Sequence, residues 1–139
     1  MNYIPFAFPD IPNVACAFGT GPRTMAFTGA VDPGDVIAVR QSLKESLGFA
    51  AWHSLRQVHG VDMIFEPEFE TLDRPSIEAG DGMTETRPGH ALAIKTADCQ
   101  PVLIAHASGR YVMALHVGWR GNVQDFCVRA VRSFCVRYG

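Results

Sequence analysis

Residues 91–121, ALAIKTADCQPVLIAHASGRYVMALHVGWRG, hold three short apolar runs: Ala91 to Thr96, Pro101 to His106 and Tyr111 to Val117. Each is bounded by Gly, Pro, Asp or Ser, the pattern of buried strands separated by turns. Asp98-Cys99 falls in the turn between the first two runs, and His116 closes the third just before Gly118. The thiol and the imidazole can therefore emerge together on one rim of a sheet.

Upstream, Gly80-Asp81-Gly82-Met83-Thr84 reads as a glycine-flanked turn into a strand. Trp52 to Val58 and Val61 to Phe65 read as two strands flanking the turn His59-Gly60, with Val61, Met63 and Phe65 alternating as in a half-buried strand. Between these segments, Glu66 to Glu78 is acidic and proline-containing, which predicts an exposed loop with solvated carboxylates. Asp32-Pro33-Gly34-Asp35 predicts a helix start, because Asp32 can cap, Pro33 suits the first helical position and Asp35 favours the N-terminal dipole. That helix should run to Leu47 and end at Gly48, with Val36, Val39, Leu43 and Leu47 on one stripe and Arg40 and Lys44 off it. Residues 1–30 mix aromatic and small residues with Pro and Gly, which predicts short strands and loops at a sheet edge. Downstream, Asn122 is the expected cap of a final helix. Its apolar stripe is Val123, Phe126, Cys127, Ala130, Val131, Phe134, Cys135 and Tyr138.

At 139 residues, 47% hydrophobic and 19% charged, the chain is sized for one domain with a real core. A net charge of -2 gives no electrostatic case for nucleic acid, and Arg129, Arg132 and Arg137 read as a solvated helix face. The proline-broken N-terminus, with Pro5, Pro9 and Pro12, predicts neither a signal peptide nor a membrane span, so a cytoplasmic location is expected. Four cysteines without a CxxC pair predict reduced thiols, with Cys127 and Cys135 as small core residues.

Three residues are the candidate site: His59, Cys99 and His116. Two imidazoles and a thiolate form a borderline-soft ligand set that suits zinc or copper, and three protein ligands leave a fourth position open. On composition and spacing alone, a core cysteine with two incidental histidines remains the competing reading. So does a metal-free site in which Cys99 is a nucleophile and His59 or His116 its base, as in cysteine hydrolases, although the adjacent Asp98 disfavours a thiolate. Arg56 and Arg120 adjoin the proposed ligands and can hold phosphate or carboxylate by a fork. A structural ion pair with Asp81 or Asp98 is the alternative for either. His53, His90 and His106 read as structural or merely exposed.

Gln57-Val58-His59-Gly60, Gly80-Asp81-Gly82, Thr96-Ala97-Asp98-Cys99-Gln100-Pro101-Val102-Leu103 and His116-Val117-Gly118-Trp119-Arg120-Gly121, in this order, closely resemble the YfiH family. That family is called laccase-like or multicopper polyphenol oxidoreductase, and later purine nucleoside phosphorylase. The resemblance implies an α+β fold, with layered mixed β-sheets flanked by helices, related to the catalytic domain of cytotoxic necrotizing factor. It implies a zinc site on His59, Cys99 and His116, with copper as the alternative. It also implies phosphorolysis of adenosine, inosine and methylthioadenosine and deamination of adenosine, with purine nucleosides and phosphate as partners and neither nucleic acid nor membrane. In this reading Cys99, His59, His116 and Asp98 are catalytic, Asp98 as an acid, while Arg56, Arg120, Gln57 and Asp81 bind substrate.

Family members continue well beyond the helix beginning at Asn122, so the chain is expected to be a single domain incomplete at its C-terminus. Val117 also stands where a small residue is common. If 139 residues were the whole protein, the uncovered helix stripe would predict a homo-oligomer. Two further readings stand beside the phosphorylase: a copper-dependent polyphenol oxidase, weakened by having five histidines without close pairs, and an inactive fragment acting through protein contacts.

Overall fold

The computed structural model describes residues 2–21 and 24–139; Met1, Pro22 and Arg23 of the expected N-terminal edge lie outside them. Among the described residues, eight strands and three helices follow one another as β1 (Asn2–Ala7), β2 (Ala15–Thr20), α1 (Pro33–Leu47), β3 (Ala51–Ser54), β4 (Met63–Phe65), β5 (Gly82–Glu85), β6 (His90–Ala93), β7 (Gln100–Ala105), β8 (Val112–Val117), α2 (Trp119–Val123) and α3 (Phe126–Tyr138). Three sheets form: the antiparallel pair β1–β2, the parallel pair β3–β6, and a four-stranded sheet ordered β4-β5-β8-β7. Within that last sheet β4 and β5 are parallel, and β8 is antiparallel to both of its neighbours. The mixture of parallel and antiparallel pairs with helices is the expected α+β architecture.

The central position of β8 explains its composition. It lies between β5 and β7, and Met113 through Val117 are all buried. Side chains alternate across a strand, so Met113, Leu115 and Val117 share one face. They form the larger core with Phe126, Ala130 and Phe134 of α3. His116 consequently points to the opposite face. A second, smaller core sets Val39 and Leu43 of α1 against Trp52 of β3.

The helix α1 begins and ends as its sequence predicts. The Asp32 carboxylate accepts the Gly34 N–H at 2.7 Å, and Gly48 takes the left-handed conformation at φ 72°, its N–H reaching the Lys44 carbonyl. Its buried face differs from expectation, because Arg40 is only 1% exposed whereas Leu47 is exposed. The guanidinium fits there because its donors go to the main-chain carbonyls of Met25 and Thr71 and its Cζ lies 4.5 Å from the Phe27 ring centroid. Burial lowers its pKa to about 10, which leaves it charged at neutral pH.

Three other expectations are corrected. The strand expected over Trp52 to Val58 ends at Ser54 and the one expected over Val61 to Phe65 starts at Met63; each has a parallel partner, β6 and β5 respectively. The 66–78 loop is not simply exposed. Thr71 is buried, donates its N–H to the Trp52 carbonyl and shares its hydroxyl with Ser54, strapping the loop to β3. The final helix is broken: Asn122 lies inside α2, Asp125 turns left-handed at φ 55°, and α3 starts at Phe126. The break lets Gly121 lie under the Gly60 carbonyl, where a Cβ would stand 3.2 Å away, while Phe126 still enters the core. As a result the apolar stripe is buried along Phe126, Ala130 and Phe134 and partly covered at Cys127 and Tyr138, whereas Val123 and Val131 are exposed and Cys135 faces solvent.

No helix among the described residues is long and apolar enough to cross a membrane. Replacing Arg40 with Ala should destabilise the chain by about 2–4 kcal/mol, since it leaves buried carbonyls unpaired and a cavity beside Trp52. Urea unfolding followed by Trp fluorescence checks this, and Arg40→Lys should recover only part of the loss.

Candidate metal centre

The Asp81 carboxylate, completely buried just before β5, is the point from which the site is built. Its Oδ2 accepts the N–H groups of Gly60 at 2.7 Å and Val58 at 3.2 Å, and its Oδ1 accepts the His59 N–H at 2.9 Å. Three consecutive amides thus converge on one anion and fold the 58–60 turn around it. The turn requires His59 to adopt φ 61°, a left-handed conformation uncommon outside glycine. Burial acts to raise the Asp81 pKa, yet the hydrogen bond from His116 and those from the three amides prevail and hold it below the ordinary carboxylate range.

His116 reaches the same carboxylate. Its Nδ1 lies 2.7 Å from Asp81 Oδ1, and its backbone N–H donates to the Asp81 carbonyl, also at 2.7 Å. An ionised carboxylate only accepts, so Nδ1 carries the hydrogen and, in the neutral ring, Nε2 presents a lone pair. His59 then meets His116 edge to face, with ring centroids 4.8 Å apart.

Cys99, in the turn before β7, completes the group: one ligand atom from each of His59, Cys99 and His116 lies within 4.8 Å of the others. Gly118 makes this approach feasible. A Cβ there would stand 3.1 Å from His59 Cδ2 and 3.4 Å from Cys99 Sγ, so any larger residue would push into the cluster. His59 is exposed, Cys99 half-buried and His116 buried, which leaves one side open to solvent. The donor set, the tautomer fixed on His116 and the cradle at Gly118 all fit a borderline divalent cation with an open position.

The other residues singled out from sequence distribute unevenly around the centre. Asp98, Arg56 and Arg120 are exposed in segments next to the ligands, and the Arg120 guanidinium lies 5.4 Å from the exposed Trp119 ring. Gln57 and Asp81, expected to bind substrate, are otherwise engaged. The Gln57 side chain donates to the Lys95 carbonyl at 2.7 Å and accepts the Lys95 N–H at 2.9 Å, prolonging the β3–β6 pairing beyond its strands. Asp81 is buried behind His116 with both oxygens occupied, and it orients that imidazole. His106 is structural, bonded to Ser108 and to the Gly139 carbonyl.

Lys95 is the residue that sequence reading passed over. Its ammonium donates to the Leu55 carbonyl at 2.8 Å, and burial, with Arg40 nearby, lowers its pKa to about 8. The available signal was a single ionisable residue inside the apolar run ALAIK.

Gly118→Ala should weaken zinc binding about tenfold or more while leaving the far-UV circular dichroism unchanged, because the added methyl group meets only the cluster. Asp81→Asn should weaken it about 10- to 100-fold through loss of the outer hydrogen bonds. Competition against a chromophoric chelator measures both.

Residues 24–139 match the family model described as multi-copper polyphenol oxidoreductase laccase. A purine nucleoside phosphorylase from Deinococcus radiodurans is 39% identical over 104 residues, 73% of this chain and 39% of that protein. One from Xylella fastidiosa is 37% identical over 96 residues, 68% of this chain and 37% of that protein. Among solved structures, YlmD from Geobacillus stearothermophilus superposes with a TM-score of 0.75 at 28% identity, over 94% of this chain and 54% of that one. The Bacillus licheniformis protein YfiH, at 22% identity, shares the fold with a TM-score of 0.71, over 81% of this chain and 45% of that one. The matched stretch thus spans roughly two-fifths of the curated relatives and about half of the solved chains. With its four motifs assembled around one centre, the chain belongs to the multi-copper polyphenol oxidoreductase laccase family, the YfiH family.

Proposed function

We propose that this chain carries the metal centre of a zinc-dependent purine nucleoside phosphorylase that also deaminates adenosine and cleaves methylthioadenosine. The observation that carries the reading is the convergence of His59, Cys99 and His116 over Gly118, with Asp81 fixing the His116 tautomer. The names of relatives that share this part of the chain support the substrate class.

His59, Cys99 and His116 would hold zinc, which when bound supplies a Lewis acid at the open position and lowers the pKa of water to about 7. The chain's own residues do the remainder. Arg56 and Arg120, exposed beside the ligands, supply guanidinium forks for phosphate, placing one of its oxygens toward the anomeric carbon. Trp119, 73% exposed next to Gly118, offers a flat apolar face on which a purine can stack. Asp98, exposed beside Cys99, can take a proton from the attacking water on its carboxylate oxygen and pass it to the departing amine in deamination.

Copper-dependent phenol oxidation is the second reading, favoured by the description of the family itself. A third is a Cys99 nucleophile with His116 as base and the Asp81 carboxylate orienting it, favoured by the 2.7 Å contact of His116 with Asp81.

Incubation of the zinc-loaded chain with adenosine and phosphate, with products separated, tests the proposal. Adenine with ribose 1-phosphate, together with inosine, is expected. Cys99→Ala should abolish zinc binding at this centre and turnover together, whereas a folded Cys99→Ala variant that retains turnover would reject the reading. Oxidation of a phenol that depends on added copper would favour the second reading, and turnover that survives chelation yet is lost on alkylation of Cys99 the third.

A further inference from the structure

A second cluster lies apart from the His59, Cys99 and His116 group and uses none of its residues. His53 of β3, Glu85 of β5 and His90 of β6 bring one ligand atom each to within 4.8 Å of the others. His53 Nε2 stands 2.9 Å from His90 Nδ1, and Glu85 Oε2 lies 3.9 Å and 3.6 Å from those two nitrogens. A cation equidistant from three atoms so spaced would be about 2 Å from each, the length of zinc bonds to imidazole and carboxylate.

The surroundings fix two of the three side chains for ligation. His53 is 2% exposed, and its Nδ1 meets the Phe69 carbonyl at 2.9 Å; a carbonyl only accepts, so Nδ1 carries the hydrogen and the neutral ring's Nε2 is bare. Glu85 is 1% exposed. Its Oε1 accepts the N–H groups of Thr86 and Arg87 and the Arg87 Nε, whereas Oε2 accepts only Arg87 Nη2 at 2.6 Å. The Arg87 fork therefore compensates the carboxylate charge, orients the group and leaves Oε2 a lone pair on the side of the two imidazoles.

His90 is the adjustable member. Its side chain is 25% exposed, which gives a cation a path inward. Without a cation, one hydrogen lies between His53 Nε2 and His90 Nδ1, and the rings are nearly parallel, 9° apart. On loading, that hydrogen relocates to His90 Nε2, so both rings stay neutral, and a small swing of the His90 ring opens the gap between the two nitrogens.

We propose that His53, Glu85 and His90 form a second binding site for a divalent cation of the zinc class, one that clamps the β3–β6 pair to β5 of the four-stranded sheet. Two nitrogens and one oxygen suit zinc and are poor for calcium or magnesium, which prefer oxygen ligands. Because the 66–78 loop supplies the carbonyl behind His53, loading should order that loop as well.

The test is zinc and cobalt titration of the untagged full chain. Wild type is expected to take up two equivalents and His90→Ala one, with Glu85→Gln weakening the second at least tenfold. Only the equivalent bound by Cys99 should give a cobalt–thiolate charge-transfer band, so the second equivalent should add absorbance without it. In Cys99→Ser the band should vanish while the His90-dependent equivalent remains; this separates failure of the first centre from failure of the second. One equivalent in wild type, or a second equivalent indifferent to both His90→Ala and Glu85→Gln, would overturn the proposal and leave the pair as a hydrogen-bonded strut.

Discussion

Everything near the rim depends on one buried anion. The Asp81 carboxylate collects the amides of Val58, His59 and Gly60 and the imidazole of His116, and by doing so joins two segments that sequence keeps far apart. A buried carboxylate without such partners would be destabilising by several kcal/mol. With four donors it becomes a rigid node instead. It holds His59 in a left-handed conformation and selects the tautomer in which His116 can ligate, so backbone strain and ligand geometry have a common cause.

Packing supplies the other half of the arrangement. β8 is central in its sheet, so alternate residues along it divide between the α3 core and the Asp81 side. Leu115 and Val117 anchor the strand hydrophobically, and His116 between them is thereby aimed. The register with β7 carries this to the thiol: Gln100 stands opposite Val117, which brings Cys99 beside Gly118. A glycine at that point is required sterically, because its chain passes between His59 and Cys99.

Much of this was legible in the sequence, for reasons that can be named. The α1 boundaries follow from local chemistry at Asp32, Pro33 and Gly48, which needs no tertiary context. The three apolar runs from Ala91 to Val117 locate strands because burial imposes its own periodicity, and Cys99 and His116 stand out because soft donors sit at their ends, with His59 in the turn after an earlier run. What depended on distant partners was less visible. Arg40 looks like a surface residue until the carbonyls of Met25 and Thr71 converge on it. The parallel pairings of β3 and β4 could not be told from a hairpin by pattern alone, since Trp52 to Phe65 has the alternation of either. His53, Glu85 and His90 are spread over three strands; the β3–β6 pairing brings the two histidines together, and the packing of β5 adds Glu85. Asp81 stands out in sequence by its glycine neighbours, but its complete burial and its four donors depend on distant segments, which glycines do not encode.

The central claim is that His59, Cys99 and His116 share one cation. X-ray absorption at the zinc edge, on the His90→Ala variant loaded with less than one equivalent, tests it most directly. The predicted shell holds one sulfur at about 2.3 Å and nitrogen or oxygen neighbours at about 2.0 Å. A shell without sulfur, or one rich in sulfur from several cysteines, would contradict it.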